Sequence, residues 1–94
     1  MYYCITALDK PDSLPIRLAN REAHLAGLKA LGGRVLIAGP LLADDGQSMV
    51  GSVLVIDFPD RAAADDFARS DPYSKAGLFA SVSIRPWRKV IPAD

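Results

Sequence analysis

Residues 34–58, RVLIAGPLLADDGQSMVGSVLVIDF, carry the pattern on which the fold turns. Two apolar runs, Arg34–Leu42 and Val50–Phe58, flank Ala43-Asp44-Asp45-Gly46-Gln47-Ser48, and the Asp-Gly step inside that link is a strong hairpin signal. The runs therefore read as antiparallel neighbours. Neither alternates as a strand with one wet face should, since Val35-Leu36-Ile37-Ala38 and Val53-Leu54-Val55-Ile56 are apolar on both sides. Both faces of the sheet need cover.

On the N-terminal side, Tyr2–Leu8 is rich in aromatic and branched residues and stops at the turn formers Asp9-Lys10-Pro11-Asp12, which predicts a first strand. A helix follows, capped by Asp12 or Ser13, with Pro15 in its first turn, a leucine stripe running to Leu28 or Leu31, and Gly32-Gly33 as the stop. Beyond the hairpin, Pro59-Asp60-Arg61 opens a second helix whose small face, Ala62, Ala63, Ala64, Phe67 and Ala68, suits close packing on a sheet. That helix is expected to end near Ser70. Asp71-Pro72 starts a short extra turn, Pro72–Ala76, closed by Gly77, and Ala80–Val90 forms the last strand. The order β-α-β-β-α-β is the split βαβ arrangement of a ferredoxin-like α+β sheet with both helices on one face. Two helices cover only one face, so the other is expected to meet the same face of a second copy, giving an isologous homodimer. The last strand agrees, with Val82 and Ile84 pointing one way and Trp87 the other.

A chain of 94 residues, half of them hydrophobic, is expected to be a single domain spanning 1–94. Eleven basic and eleven acidic residues cancel without any run of like charge, which argues against nucleic acid or an anionic membrane as partner. One cysteine, Cys4, excludes an internal disulfide and leaves no Cys/His cluster for zinc, so no metal or cofactor is expected and a reducing, cytoplasmic setting fits. No apolar run approaches the ~20 residues of a membrane span.

Phosphate-cradling loops, nucleophile elbows and paired metal-ligand motifs are all missing, and Gly32-Gly33 is a helix stop. Cys4 reads as a small buried thiol. Any catalysis must rest on His24, the only histidine. At ~100° per residue, Leu14, Leu18, Leu25 and Leu28 fall within an arc of about 80°, Arg21 lies inside it, and Arg17 and His24 lie at its edge. Charged groups beside an apolar stripe break the pattern, and such breaks are often functional. The plain alternative is a half-buried His bonded to a carbonyl, with arginine stems covering apolar surface.

Several segments together resemble the YciI-like (YCII-related) family: Arg21-Glu22-Ala23-His24-Leu25 on the first helix, Ala38-Gly39-Pro40, Ser70-Asp71-Pro72-Tyr73-Ser74-Lys75-Ala76-Gly77-Leu78, and Ile84-Arg85-Pro86-Trp87. The resemblance runs over essentially the whole chain. It implies a dimeric α+β barrel, cofactor-free, with His24 and Asp71 as a catalytic pair. Glu22 departs from the pattern, which has Pro before the Ala-His step.

The pair also makes physical sense. A carboxylate accepting from one imidazole nitrogen fixes the tautomer, leaves the other nitrogen as an acceptor and stabilises the imidazolium. From the residues alone, Asp before Pro at a helix start reads first as a simple N-cap, and both roles fit only if one carboxylate oxygen caps while the other faces His24. Arg17 or Arg21 could hold an anionic or enolate-like oxygen, and Tyr73 could donate to substrate or merely pack under the short helix. Ser70 and Ser81 are further candidates for polar lining. The expectation is a small homodimeric protein using His24 and Asp71 for proton abstraction, isomerisation or elimination on a small organic molecule. The alternative is a non-catalytic small-molecule-binding or accessory module built on the same pocket.

Overall fold

The computed structural model describes residues 1–93. Strand β1 (Tyr2–Asp9) leads to helix α1 (Leu14–Leu31), then β2 (Val35–Leu42), β3 (Met49–Asp57), α2 (Arg61–Ser70), the one-turn α3 (Pro72–Lys75) and β4 (Phe79–Trp87). The strands form one antiparallel sheet in the order β2-β3-β1-β4, the ferredoxin-like arrangement.

The β2–β3 hairpin closes on Asp45, whose carboxylate accepts the Gln47 and Ser48 backbone N–H groups at 2.8 Å each. Gly46 supplies the left-handed φ of +70° that the turn needs. The Ser48 hydroxyl and these amides hold the Asp45 carboxyl down at about 2. At the other end of the chain, β4 leaves the sheet at Trp87, short of the expected Val90, which is exposed.

One sheet face packs under the helices. Tyr3 and Ile5 of β1, Leu54 and Ile56 of β3, and Phe58 join Leu28 of α1 and Ala64 of α2 in the core. Gly51 lets β1 and β3 close up, because a Cβ there would lie 2.4 Å from the Ala7 carbonyl oxygen. The register puts Leu8, Ile37 and Trp87 on the opposite face, where no helix covers them and all three are exposed.

Helix α1 is turned differently from the expectation. Leu14 and Leu18 are exposed, and the buried residues are Arg17, His24 and Leu28. At 100° per residue the buried sector is centred about 60° away from the leucine stripe. The physical reason is polar: Arg17 and His24 each meet a carboxylate beneath the helix, and these contacts fix its rotation. Ser13 stands at the N-cap position, but its hydroxyl donates to the Pro11 carbonyl and caps no N–H of the helix.

Candidate active site

Asp71 ends α2 and begins α3, where Pro72 restrains the backbone for a helical first turn. Its Oδ1 accepts the Tyr73 backbone N–H at 2.9 Å, the expected capping bond. The same carboxylate faces α1, with both oxygens 2.9 Å from His24 Nδ1. One acid thus serves cap and imidazole at once. Its negative charge makes Nδ1 the protonated nitrogen, so Nε2 is left as an acceptor, and no protein group bonds it among the described residues. Both side chains are nearly buried, at 7% and 6% exposure.

Tyr73, fully buried on α3, is the centre of a stack. Its ring lies 4.0 Å from the His24 ring, only 18° from parallel, and the Arg17 guanidinium carbon stands 4.6 Å from its centroid. Phe79 closes the arrangement edge-on at 6.0 Å. Burial raises the Tyr73 phenol above its ordinary value, against the opposing charges of Arg17 and Arg21.

Arg17 is itself held from below. Its Nε and Nη2 donate to the two Asp9 oxygens at 2.7 and 2.9 Å, and Nη2 also donates to Ser52 Oγ at 2.9 Å. Burial alone would lower the guanidinium, but the bonds and charge of Asp9 leave it above its ordinary value. Arg21, one turn on, has no hydrogen bond or ion pair with any described residue.

A cavity of about 170 Å³ opens beside this cluster, between α1 and the β2–β3 hairpin, and is lined by Arg17, Arg21, His24, Ser52, Tyr73 and Pro40 among others. A water-sized void of about 10 Å³ on the core side of the sheet is bordered by His24, Asp71 and Ser74.

Of the residues expected at a site, the structure brings together His24, Asp71, Arg17, Arg21 and Tyr73. Ser70, at the exposed end of α2, and Ser81, exposed on β4, line neither space. Sequence reasoning missed Asp9, taken as a turn former, and Ser52. The latter had a signal: it is a lone hydroxyl inside the otherwise apolar run Val50–Phe58, which Asp57 alone also interrupts. Among the described residues, no three His, Cys, Asp or Glu side chains are grouped to hold a metal ion, and no helix is long and apolar enough to cross a membrane.

Comparison with known proteins gives this geometry a context. Protein YciI of Escherichia coli is 43% identical, over 96% of this chain and 99% of its own. Among solved structures, the 5-chloro-2-hydroxyhydroquinone dehydrochlorinase TftG of Burkholderia phenoliruptrix, in complex with 2,5-dihydroxybenzoquinone, superposes with a TM-score of 0.87 at 35% identity, covering 94% of each chain. An antibiotic biosynthesis monooxygenase, at 15% identity and a TM-score of 0.58, covers 96% of this chain and 99% of its own and shares the fold alone. The YCII-related domain matches residues 1–88, and with YciI at that identity over nearly full length, the chain belongs to the YCII-related family.

Proposed function

We propose that the chain is a small acid–base enzyme in which His24 Nε2 removes a proton from a small organic substrate. The observation that carries this reading is the contact of both Asp71 carboxylate oxygens with His24 Nδ1 at 2.9 Å, at the wall of a cavity that also holds an unpaired arginine. Asp71 keeps Nδ1 protonated and balances the imidazolium charge after transfer; Tyr73, stacked on the ring, keeps its plane fixed. In an elimination, Nε2 takes a proton from an acidic O–H or C–H, the freed electron pair forms the new π bond, and the leaving group departs as an anion with its own bonding pair. Likeness to a dehydrochlorinase supports this class of step.

The working unit in this reading is one domain of residues 1–94, paired into a homodimer through the uncovered sheet face. The exposed Leu8, Ile37 and Trp87 support that assembly. The lone Cys4 suits a reducing, cytoplasmic compartment.

Chloride release from 5-chloro-2-hydroxyhydroquinone, and deuterium exchange at acidic C–H positions of ring hydroxyquinones followed by NMR, test the proposal. Acceleration by the wild type, lost in His24→Gln and Asp71→Asn while both variants stay folded by circular dichroism at the assay temperature, is the expected result. Full activity in both variants removes the mechanism. Ligand binding without acceleration of either reaction returns the non-catalytic binding module.

A further inference from the structure

The charges and size of the cavity say more about its occupant than the pair does. Arg17 is neutralised by Asp9, to which it donates two short bonds, and Asp71 accepts from His24 Nδ1. That leaves Arg21 as the one cation on the cavity wall with no acid bonded to it, while the Asp71–His24 pair carries one negative charge when the imidazole is neutral. An unpaired guanidinium gives one negatively charged oxygen a partner, and the negative Asp71–His24 pair disfavours a second negative charge beside it. A volume of about 170 Å³ sets the size. Cavities of roughly 150 Å³ hold a benzene molecule, so one ring with a few small substituents fills this space.

Polar atoms are placed unevenly around it. Leu25, Leu28, Ala38 and Pro40 line the cavity as apolar surface, and Pro40 has no N–H to offer. Ser52, 3% exposed, uses its oxygen to accept from Arg17 Nη2, and its own O–H has no acceptor among the described residues. A hydroxyl has one proton to donate besides its acceptor lone pairs. Buried donors are normally used.

We infer that the cavity takes a single-ring monoanion, with its charged oxygen against Arg21 and a neutral ring oxygen receiving the Ser52 hydroxyl proton. This assigns the substrate class of the site on which the proposed function rests. It gives Ser52 a binding role in addition to its bond with Arg17. A ring anion held in this way keeps an acidic O–H or C–H beside His24.

Equilibrium binding by calorimetry, on full-length wild type, Arg21→Gln and Ser52→Ala, tests the assignment without needing turnover. The probes are 2,5-dihydroxybenzoate, its neutral amide 2,5-dihydroxybenzamide, unsubstituted benzoate and 1,4-dihydroxy-2-naphthoate. The acid should bind wild type about tenfold more tightly than the amide, as expected for a hydrogen bond to a charged group, and far more tightly than the naphthoate. Arg21 is exposed, so Arg21→Gln folds normally, and it should erase the acid-over-amide preference while leaving the amide unchanged. The ring hydroxyls should improve binding over benzoate about fivefold in wild type and not in Ser52→Ala. That ratio compares two ligands on one variant, so it survives any general loosening caused by the substitution. Equal affinity for acid and amide, tight naphthoate binding, a hydroxyl effect that persists in Ser52→Ala, or no binding of any probe overturns the inference. The expected binding pattern together with no catalysed proton transfer in the wild type would instead overturn the enzymatic reading and leave this one standing.

Discussion

Arg17 and Asp9 hold each other through two parallel bonds of 2.7 and 2.9 Å, with side chains 3% and 6% exposed, and join the first helix to the end of the first strand beneath the site. Removing one member of such a pair strands the other charge out of water. Asp9→Asn should therefore cost about 3–5 kcal/mol of stability, measured by urea denaturation. Replacing both, Asp9→Leu with Arg17→Met, should recover most of that loss, because an apolar pair of similar volume needs no desolvation. The double variant still lacks the guanidinium that bonds Ser52 and stands over Tyr73, so its activity should stay low while its stability returns. A double variant as unstable as Asp9→Asn would mean the contact matters for packing rather than charge.

Asp71 combines two tasks that substitution can separate. Asn retains an oxygen to accept the Tyr73 N–H, so Asp71→Asn should keep the short helix, whereas Asp71→Ala should lose about 1 kcal/mol with the cap. Turnover should fall in both, by roughly 10²–10⁴-fold, since neither can hold the imidazole tautomer and offset its positive charge. Thermal melts beside steady-state rates check this. Equal activity of Asn and Asp would reduce residue 71 to a cap.

Tyr73 gives the molecule a dependence on alkaline pH. Burial, with a smaller push from Asp71, raises its phenol against the pull of Arg17 and Arg21. The folded chain thus keeps the proton to higher pH than the unfolded chain, which releases it near ~10. The stabilisation is complete below that value and is lost as pH rises from it through the folded value. Wild type should therefore lose stability more steeply above pH ~10 than Tyr73→Phe. Identical slopes for the two proteins would count against a shifted phenol.

Much of this arrangement is legible in the chain because the signals are local. Asp45-Gly46 forms its turn through bonds to residues two and three positions away, and Asp71-Pro72 caps its helix within one turn. Strand ends were less legible, since β4 stops at Trp87 while Val90 and Ile91 resume the apolar pattern after Arg88-Lys89. The rotation of α1 was not visible, because it is set by partners far along the chain. Asp71 lies 47 residues from His24, and Ser52 lies 35 from Arg17. A leucine stripe reports what a helix would bury if apolar area alone decided. Here two charge-assisted contacts outweigh it, and Leu14 and Leu18 are left in water.

Those exposed leucines also supply a control for the uncovered sheet face. An isologous interface brings the same patch of two copies together, so one charge introduced there is introduced twice and meets its own image across the symmetry axis. Ile37 on the edge strand β2 is 56% exposed and Leu8 on β1 is 49% exposed, whereas Leu14, 43% exposed, belongs to the helical layer. Ile37→Lys combined with Leu8→Lys should weaken self-association by at least about 30-fold, the loss of a single strong interface residue. Leu14→Lys should leave it intact. Sedimentation velocity of the three proteins across a concentration series reads this directly. A wild type that sediments as a monomer at its highest soluble concentration, or a Leu14→Lys variant that dissociates while the double variant does not, would place the contact somewhere other than the sheet. Isolated charges on an exposed strand face cost a monomer little, so equal melting temperatures for the double variant and a diluted, dissociated wild type would show that the change acts on assembly and not on folding.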